Sequence, residues 1–242
     1  MRTRIAILDY GVGNRRSVRK AFEDLGAEVV LTDQLPELQA SDGIVLPGVG
    51  AAIPALEMLH TKGLFEFLQQ TRKPLLGICL GAQLMAEFLE EGSTQSEFVS
   101  LPYAATPDRS AQSTSDNATS TTTLADVVAQ PGLGKIPGTV RQLRTELNSG
   151  QSSRLPHMGW SMVVGEKPGR LLAGLPENCS FYFAHSYGLE CGPWTTASSW
   201  HGERFSAVLE KENCYGVQFH PEKSGAAGRR LLQNYLSICR ES

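Results

Sequence analysis

Two stretches of this chain hold residue types able to do covalent chemistry. The first is Gly77-Ile78-Cys79-Leu80-Gly81, which follows the apolar run Pro74-Leu75-Leu76. After it Leu84, Met85, Phe88 and Leu89 recur at three and four, which predicts one face of a helix. A strand that turns sharply into a helix with a nucleophile at the corner is a nucleophile elbow. Gly77 and Gly81 leave room for the tight turn, and unpaired N–H groups at a helix start favour a thiolate and can hold an oxyanion. The competing interpretation is a buried structural cysteine, since free cysteine is among the most buried residue types. What separates the two is a base.

The second stretch is His220-Pro221-Glu222, at the end of the strand-like run Cys214-Tyr215-Gly216-Val217-Gln218-Phe219. Open α/β sheets place ligands at strand ends. A cysteine nucleophile needs a general base, and the base needs an orienting acceptor on its other ring nitrogen. His220 can be the base, and Glu222, across a rigid proline, can reach the same imidazole. His60, His157, His185 and His201 compete, but only His220 has a carboxylate at fixed short spacing after a strand. A lone strand-end histidine is more often a structural hydrogen-bonder. Glu222 and the upstream cysteine shift the balance to catalysis.

The elements that must position these groups follow from patterning. Arg4 to Asp9, Glu28 to Leu31 and Gly43 to Leu46 read as short strands. Val18, Ala21, Phe22 and Leu25 space out as a helix that stops at Gly26, Pro36 to Ala40 as a short helix or turn, and about 55–70 as a longer helix. Strands alternating with helices predict an open, mostly parallel, twisted α/β sheet with helices on both faces. Farther on, Thr139 to Leu143, Ser161 to Val164, Ser180 to Ala184, Ala197 to Ser199, Ser206 to Glu210 and Tyr215 to Phe219 read as strands, and Gly225 to Cys239 as a last helix with Leu231, Leu232, Tyr235 and Leu236 buried. Gly11-Val12-Gly13 could open a dinucleotide fingerprint, but Arg16 stands where a third glycine is needed and no acidic residue ends the next strand, and such a loop more often shapes a surface. Ser110 to Thr123 contains only Ser, Thr, Asn, Gln and Asp apart from two alanines, so a mobile surface insertion is expected near 93–130 within a single domain spanning 1–242.

Composition limits the function classes. The chain has 242 residues, 19% charged and 41% hydrophobic, with a formal net charge of −3, which offers no hint of nucleic acid or an anionic membrane surface. There is no run of eighteen apolar residues, and no membrane segment is expected. Five scattered cysteines without a Cys-x-x-Cys pair argue against a disulfide framework or structural zinc and for a reducing cytoplasm.

Gly77-Ile78-Cys79-Leu80-Gly81-Ala82-Gln83 together with Gln218-Phe219-His220-Pro221-Glu222 resembles the class I glutamine amidotransferases. Five blocks are similar to the branch of that family that serves imidazole glycerol phosphate synthase as its glutaminase subunit. They are Leu8-Asp9-Tyr10-Gly11-Val12-Gly13-Asn14 with Ser17-Val18, Pro47-Gly48-Val49-Gly50, Pro156-His157-Met158-Gly159-Trp160, Tyr182-Phe183-Ala184-His185-Ser186-Tyr187 and His220-Pro221-Glu222-Lys223-Ser224. They stand in order over nearly the whole chain. Ala82 and His201 depart from the usual methionine and tyrosine, and the Ser/Thr-rich insertion is not part of the usual pattern.

The resemblance implies a flavodoxin-like sheet and release of ammonia from glutamine by Cys79, His220 and Glu222 as catalytic triad. It implies an oxyanion hole from Leu80 and the Val49 loop, and a glutamine site made of Gly50, Gln83, Glu91, Ser186 and Tyr187. It implies a heterodimer with a synthase (cyclase) subunit that is a (β/α)8 barrel, with Asn14, His157, Met158, Trp160, Tyr182 and Lys223 at the interface and ammonia exit. No metal or organic cofactor is implied. Val49 is β-branched and resists positive φ, so the isolated chain is expected to be a poor glutaminase. Three alternatives remain at this stage: another class I amidotransferase subunit, a dienelactone-type cysteine hydrolase, and a non-enzymatic relative that keeps the elbow cysteine.

Overall fold

The computed structural model describes residues 2–11, 13–90, 129–144 and 153–241. The expected alternation opens the chain: β1 (Arg4–Leu8), α1 (Arg15–Glu23), β2 (Glu28–Thr32), α2 (Leu35–Ala40), β3 (Gly43–Gly48), α3 (Ala52–Thr61), α4 (Phe65–Gln70), β4 (Leu75–Cys79) and α5 (Leu80–Leu84). Then follow β5 (Ala86–Glu90), β6 (Ala129–Pro131), β7 (Ile136–Gln142), β8 (His157–Gly165), β9 (Asn178–His185), β10 (Tyr187–Leu189), β11 (Thr195–His201), β12 (Glu203–Lys211) and β13 (Cys214–Val217). A 3₁₀ turn, Pro221–Lys223, and α6 (Gly225–Arg240) close the chain.

Nine strands form the main sheet in the order β2-β1-β3-β4-β13-β12-β11-β8-β9. The first five are parallel, as the alternation requires, and the rest pair antiparallel through β12, β11, β8 and β9. The parallel character therefore holds for the half that carries Cys79, while the other half is built of antiparallel strands without intervening helices. A second sheet, β10-β7-β5-β6, lies beyond α5.

Both faces of the parallel half are covered. Along β1, Ile5 and Ile7 join Phe22, Leu231, Leu232 and Tyr235 in one core, and Ala6 and Leu8 join Leu56, Leu59 and Leu68 in the other. Alternate residues of a strand point to opposite faces, so α1 and α6 cover one face and α3 and α4 the other.

Two helices differ from expectation. The segment read as one helix over 55–70 is broken between α3 and α4. Gly63, at φ 64°, lets Leu64 N donate to Leu59 O at 2.9 Å and Gly63 N to His60 O at 2.9 Å, the Schellman pattern that ends helices. The elbow helix stops at Leu84 instead of running through Leu89. The loop before β7 takes its place: Leu133 N donates to Leu84 O at 2.8 Å, Gly134 N to Ala86 O at 3.0 Å and Gly132 N to Glu87 O at 2.9 Å. Leu84, Met85 and Leu89 are buried as expected, but Phe88 is exposed. Partners distant in sequence override the local spacing. Of the proposed insertion, Ala129 and Gln130 belong to β6, and Ser110 to Thr123 lie outside the described residues.

The elbow itself depends on Gly81. A Cβ there would stand 1.7 Å from the Leu46 carbonyl oxygen, and one at Gly77 would stand 2.6 Å from Ala82 Cα. Gly81→Ala should therefore destabilise the protein by about 3 kcal/mol or more, the upper end for overpacking, read as a shift in the urea midpoint. A loss under about 1 kcal/mol would show that α5 can move off β3 freely.

Candidate active site

Strand register brings the two reactive stretches together. β4 lies between β3 and β13, with Gly48 opposite Cys79 and Val217 opposite Ile78. Parallel neighbours end at the same edge, so Cys79 at the end of β4 stands beside the segment that leaves β13 for His220. Cys79 occupies the corner at φ 54°, ψ −112°. Only Cys79 and Glu212 among the described non-glycine residues have positive φ. Such a conformation costs about 1–3 kcal/mol and persists where surrounding packing enforces it.

His220 Nδ1 lies 3.0 Å from Glu222 Oε1, with the two side chains 3% and 0% exposed. The pair is fixed from behind. His220 N donates to Tyr182 O at 2.8 Å, Ser224 Oγ donates to His220 O at 2.6 Å, and Tyr182 N donates to Ser224 Oγ at 3.0 Å. Burial by itself would lower the His220 pKa, but hydrogen bonds to Cys79 and Glu222 outweigh it and raise the value to about 9. The other histidines do not compete: His60 stacks on Phe65, and His157, His185 and His201 make contacts of their own.

Around the thiol, Cys79 Sγ lies 3.8 Å from Ala184 O and 3.8 Å from Gln218 Nε2. Gln83 Nε2 donates to Tyr187 O at 2.7 Å and to Gln218 Oε1 at 3.1 Å. Two predicted glutamine-site residues, Gln83 and Tyr187, are thus in contact, and Ser186 is held by Leu143 N donating to its carbonyl at 2.9 Å. Leu80 begins α5 directly after Cys79, and Val49 and Gly50 follow the residue opposite Cys79. Gly50 takes φ 96°, and Val49 stays outside the left-handed region. Glu91 lies outside the described residues. Gln218, which bridges Gln83 and the thiol, was not singled out from the sequence. Its signal was its place two residues before His220, directly after β13 ends at Val217.

The predicted interface residues divide. Met158 and Trp160 are 64% and 58% exposed, so ordinary core packing does not explain Trp160. Its ring meets Tyr182 edge-on at 6.3 Å, and Lys223 Nζ lies 5.6 Å over the Tyr182 ring. Asn14 Nδ2 donates to Glu222 Oε1 at 3.4 Å, which ties it to the His220–Glu222 pair. His157 is a correction: it is 3% exposed, because on β8 it points inward to Phe183 and His185 while Met158 points out. The outward stripe continues through Met162, Val164 and Trp200, all exposed and none foreseen.

A strained elbow cysteine on a parallel sheet, facing a buried His–Glu pair, has the geometry that a cysteine-dependent acyl transfer needs. The family model "Glutamine amidotransferase class-I" matches residues 6–238, and the chain belongs to that family. Within it the chain is 37% identical over 236 residues to the imidazole glycerol phosphate synthase subunit HisH of Xanthomonas campestris pv. campestris (strain 8004), covering 98% of both chains. It is 36% identical over 238 residues to the HisH subunit of Vibrio cholerae serotype O1, covering 98% of this chain and 100% of that one. A crystal structure of a glutamine amidotransferase superposes with a TM-score of 0.61 at 16% identity, covering 98% of each chain, and confirms the fold.

The inward histidines make a pH prediction. Burial pushes His157 down to about 4 and His185 to about 3, below the 6.5 of a free imidazole. The unfolded chain then takes up protons that the folded chain refuses, so their stabilisation is complete above about pH 6.5 and is lost as pH falls toward 4. Urea midpoints should rise with pH between about 5 and 6.5, and His157→Gln should flatten that rise. An unchanged slope would mean that His157 is protonated in the fold.

Proposed function

We propose that this chain hydrolyses glutamine and passes the ammonia to the partner subunit of an imidazole glycerol phosphate synthase in histidine biosynthesis. Cys79 as thiolate adds to the side-chain amide carbon. The resulting oxyanion is held by the Leu80 N–H and an N–H of the Val49–Gly50 loop. His220 gives its proton to the departing nitrogen, so that ammonia leaves and a thioester remains. His220 then takes a proton from water as it attacks the thioester, which releases glutamate and restores the thiolate–imidazolium pair, while Glu222 orients the imidazole and stabilises its charged form. Gly50, Gln83, Glu91 and the backbone of Ser186 and Tyr187 bind the amino-acid end of the substrate. No metal or organic cofactor is needed.

The observation that carries this function is the His220–Glu222 pair at 3.0 Å beside an elbow cysteine, in a chain that matches HisH subunits almost end to end. Ammonia is mostly protonated in neutral water and then useless as a nucleophile, so direct transfer to the partner follows. The outward face of β8 supports a docked partner, since contiguous exposed apolar surface marks interaction sites. We assign that face, with Trp160, Tyr182, Lys223 and Asn14 near the catalytic pair, to a (β/α)8 barrel synthase. The partner would add the ammonia to a phosphoribulosyl formimino-carboxamide nucleotide, yielding imidazole glycerol phosphate and an aminoimidazole carboxamide ribotide. All five cysteines are unpaired, which fits a reducing cytoplasm, and the family match supports a single domain over residues 1–242.

Cys79→Ala should abolish glutamine-dependent synthesis by the complex and spare synthesis driven by ammonium salt. Loss of both would assign Cys79 a structural role. The isolated chain should be a poor glutaminase, because one missing oxyanion donor costs about 10²–10³ in rate, and docking with nucleotide restores it by favouring the reoriented Val49 peptide. Val49→Gly should raise the basal rate. Full activity without partner would refute the gating, and a slow, unchanged Val49→Gly would refute its assignment to this peptide.

A further inference from the structure

Beside the site runs a chain of hydrogen bonds that the glutaminase steps do not use. His185 Nδ1 lies 2.8 Å from the Tyr187 carbonyl oxygen. A carbonyl only accepts, so Nδ1 carries the proton and Nε2 is left as acceptor. His157 Nδ1, 3.0 Å from that Nε2, is then the donor. His157 Nε2 in turn accepts from Ser161 Oγ at 2.7 Å. The direction is fixed from end to end: Ser161 to His157, His157 to His185, His185 to the Tyr187 carbonyl. Phe183 stacks on His157 at 4.7 Å and Phe205 meets His185 edge-on at 4.9 Å. Both imidazoles are buried, and neutral rings suit this enclosure.

The two ends of the chain touch different parts of the machinery. Ser161 and His157 stand on β8, whose other face presents Met158, Trp160 and Met162 to the outside. The Tyr187 carbonyl also accepts from Gln83 Nε2 at 2.7 Å, one helical turn from Cys79.

We propose that His157 and His185 are positioning residues for glutamine binding, holding the Ser186–Tyr187 backbone against Gln83 and tying its placement to the strand that bears the apolar docking face. This rests on the glutaminase function proposed above. Glutamine affinity then depends on the donor at position 157, although that residue touches neither substrate nor thiol.

The test is steady-state glutamine hydrolysis by the complex with its synthase partner, for wild type, His157→Leu, His157→Asn and Ser161→Ala. Leucine removes the donor and keeps much of the bulk, whereas an asparagine amide offers an N–H near the place of Nδ1–H. His157→Leu should raise KM for glutamine about tenfold, the upper size of one net hydrogen bond, with kcat unchanged, the signature of lost uniform binding. His157→Asn should restore KM to near the wild-type value. Ser161→Ala, which only frees His157 to turn, should raise KM about threefold. A merely structural pair would lower thermal stability without splitting KM from kcat, and asparagine would not rescue it. Unchanged KM in His157→Leu, or in Ser161→Ala should the leucine variant not fold, overturns the proposal. A wild-type complex that does not hydrolyse glutamine overturns the function itself, and this inference with it.

Discussion

The contact between Gly81 and the Leu46 carbonyl is the constraint on which the rest of the site depends. A side chain at Gly81 would overlap β3, so α5 can pack against that strand only as long as the position stays bare. Packing so tight leaves no room for a relaxed turn, and Cys79 is held at φ 54°. The strain lifts the thiol to the strand-end edge, where β13 delivers His220 and the Val49–Gly50 loop leaves β3. The proposed nucleophile, base and oxyanion donors are therefore set by the order of three adjacent parallel strands, β3-β4-β13.

Strand β9 holds the other side. Its Tyr182 carbonyl fixes the His220 backbone, and its Ala184 carbonyl faces the Cys79 thiol. It is also paired with β8 along eight residues, from His157 opposite His185 to Val164 opposite Asn178. The antiparallel half of the sheet thus works as a bracket with two sides, one turned to the chemistry and one to the exposed Met158–Trp160–Met162 stripe. A partner seated on that stripe would press on β8, whose neighbour β9 hydrogen-bonds the His220 segment. Close-packed interiors transmit strain, so docking on that stripe, as proposed above, would have a route to the site without a separate hinge.

Local patterning was enough to reveal the parallel strands, the elbow cysteine and the His–Glu pair, because each depends on residues within a few positions of one another. The end of α5 was hidden. Leu84, Met85 and Leu89 have a spacing that suits a helix, but their backbone partners are residues 132–136, far along the chain. Gln218 was hidden for a related reason, since its role as bridge between Gln83 and Cys79 exists only once β13 lies beside β4. His157 was misplaced because its motif suggested an exposed block, whereas strand alternation sends His157 and Met158 to opposite faces. The exposed partnership of Met162 and Trp200 needed the pairing of β8 with β11, which no local signal carries.

The central claim is that the strained elbow singles out one thiol among five. Its most direct test is site mapping by mass spectrometry after brief treatment of the folded protein with a chloroketone shaped like glutamine. The adduct should form on Cys79 well ahead of every other cysteine, and His220→Ala should slow it. Cys214 and Cys239 should lag, since burial raises them to about 11 and about 12, and exposed Cys191 lacks the His–Glu pair. Labelling of Cys191 at the same rate as Cys79, with no effect of His220→Ala, would contradict the account.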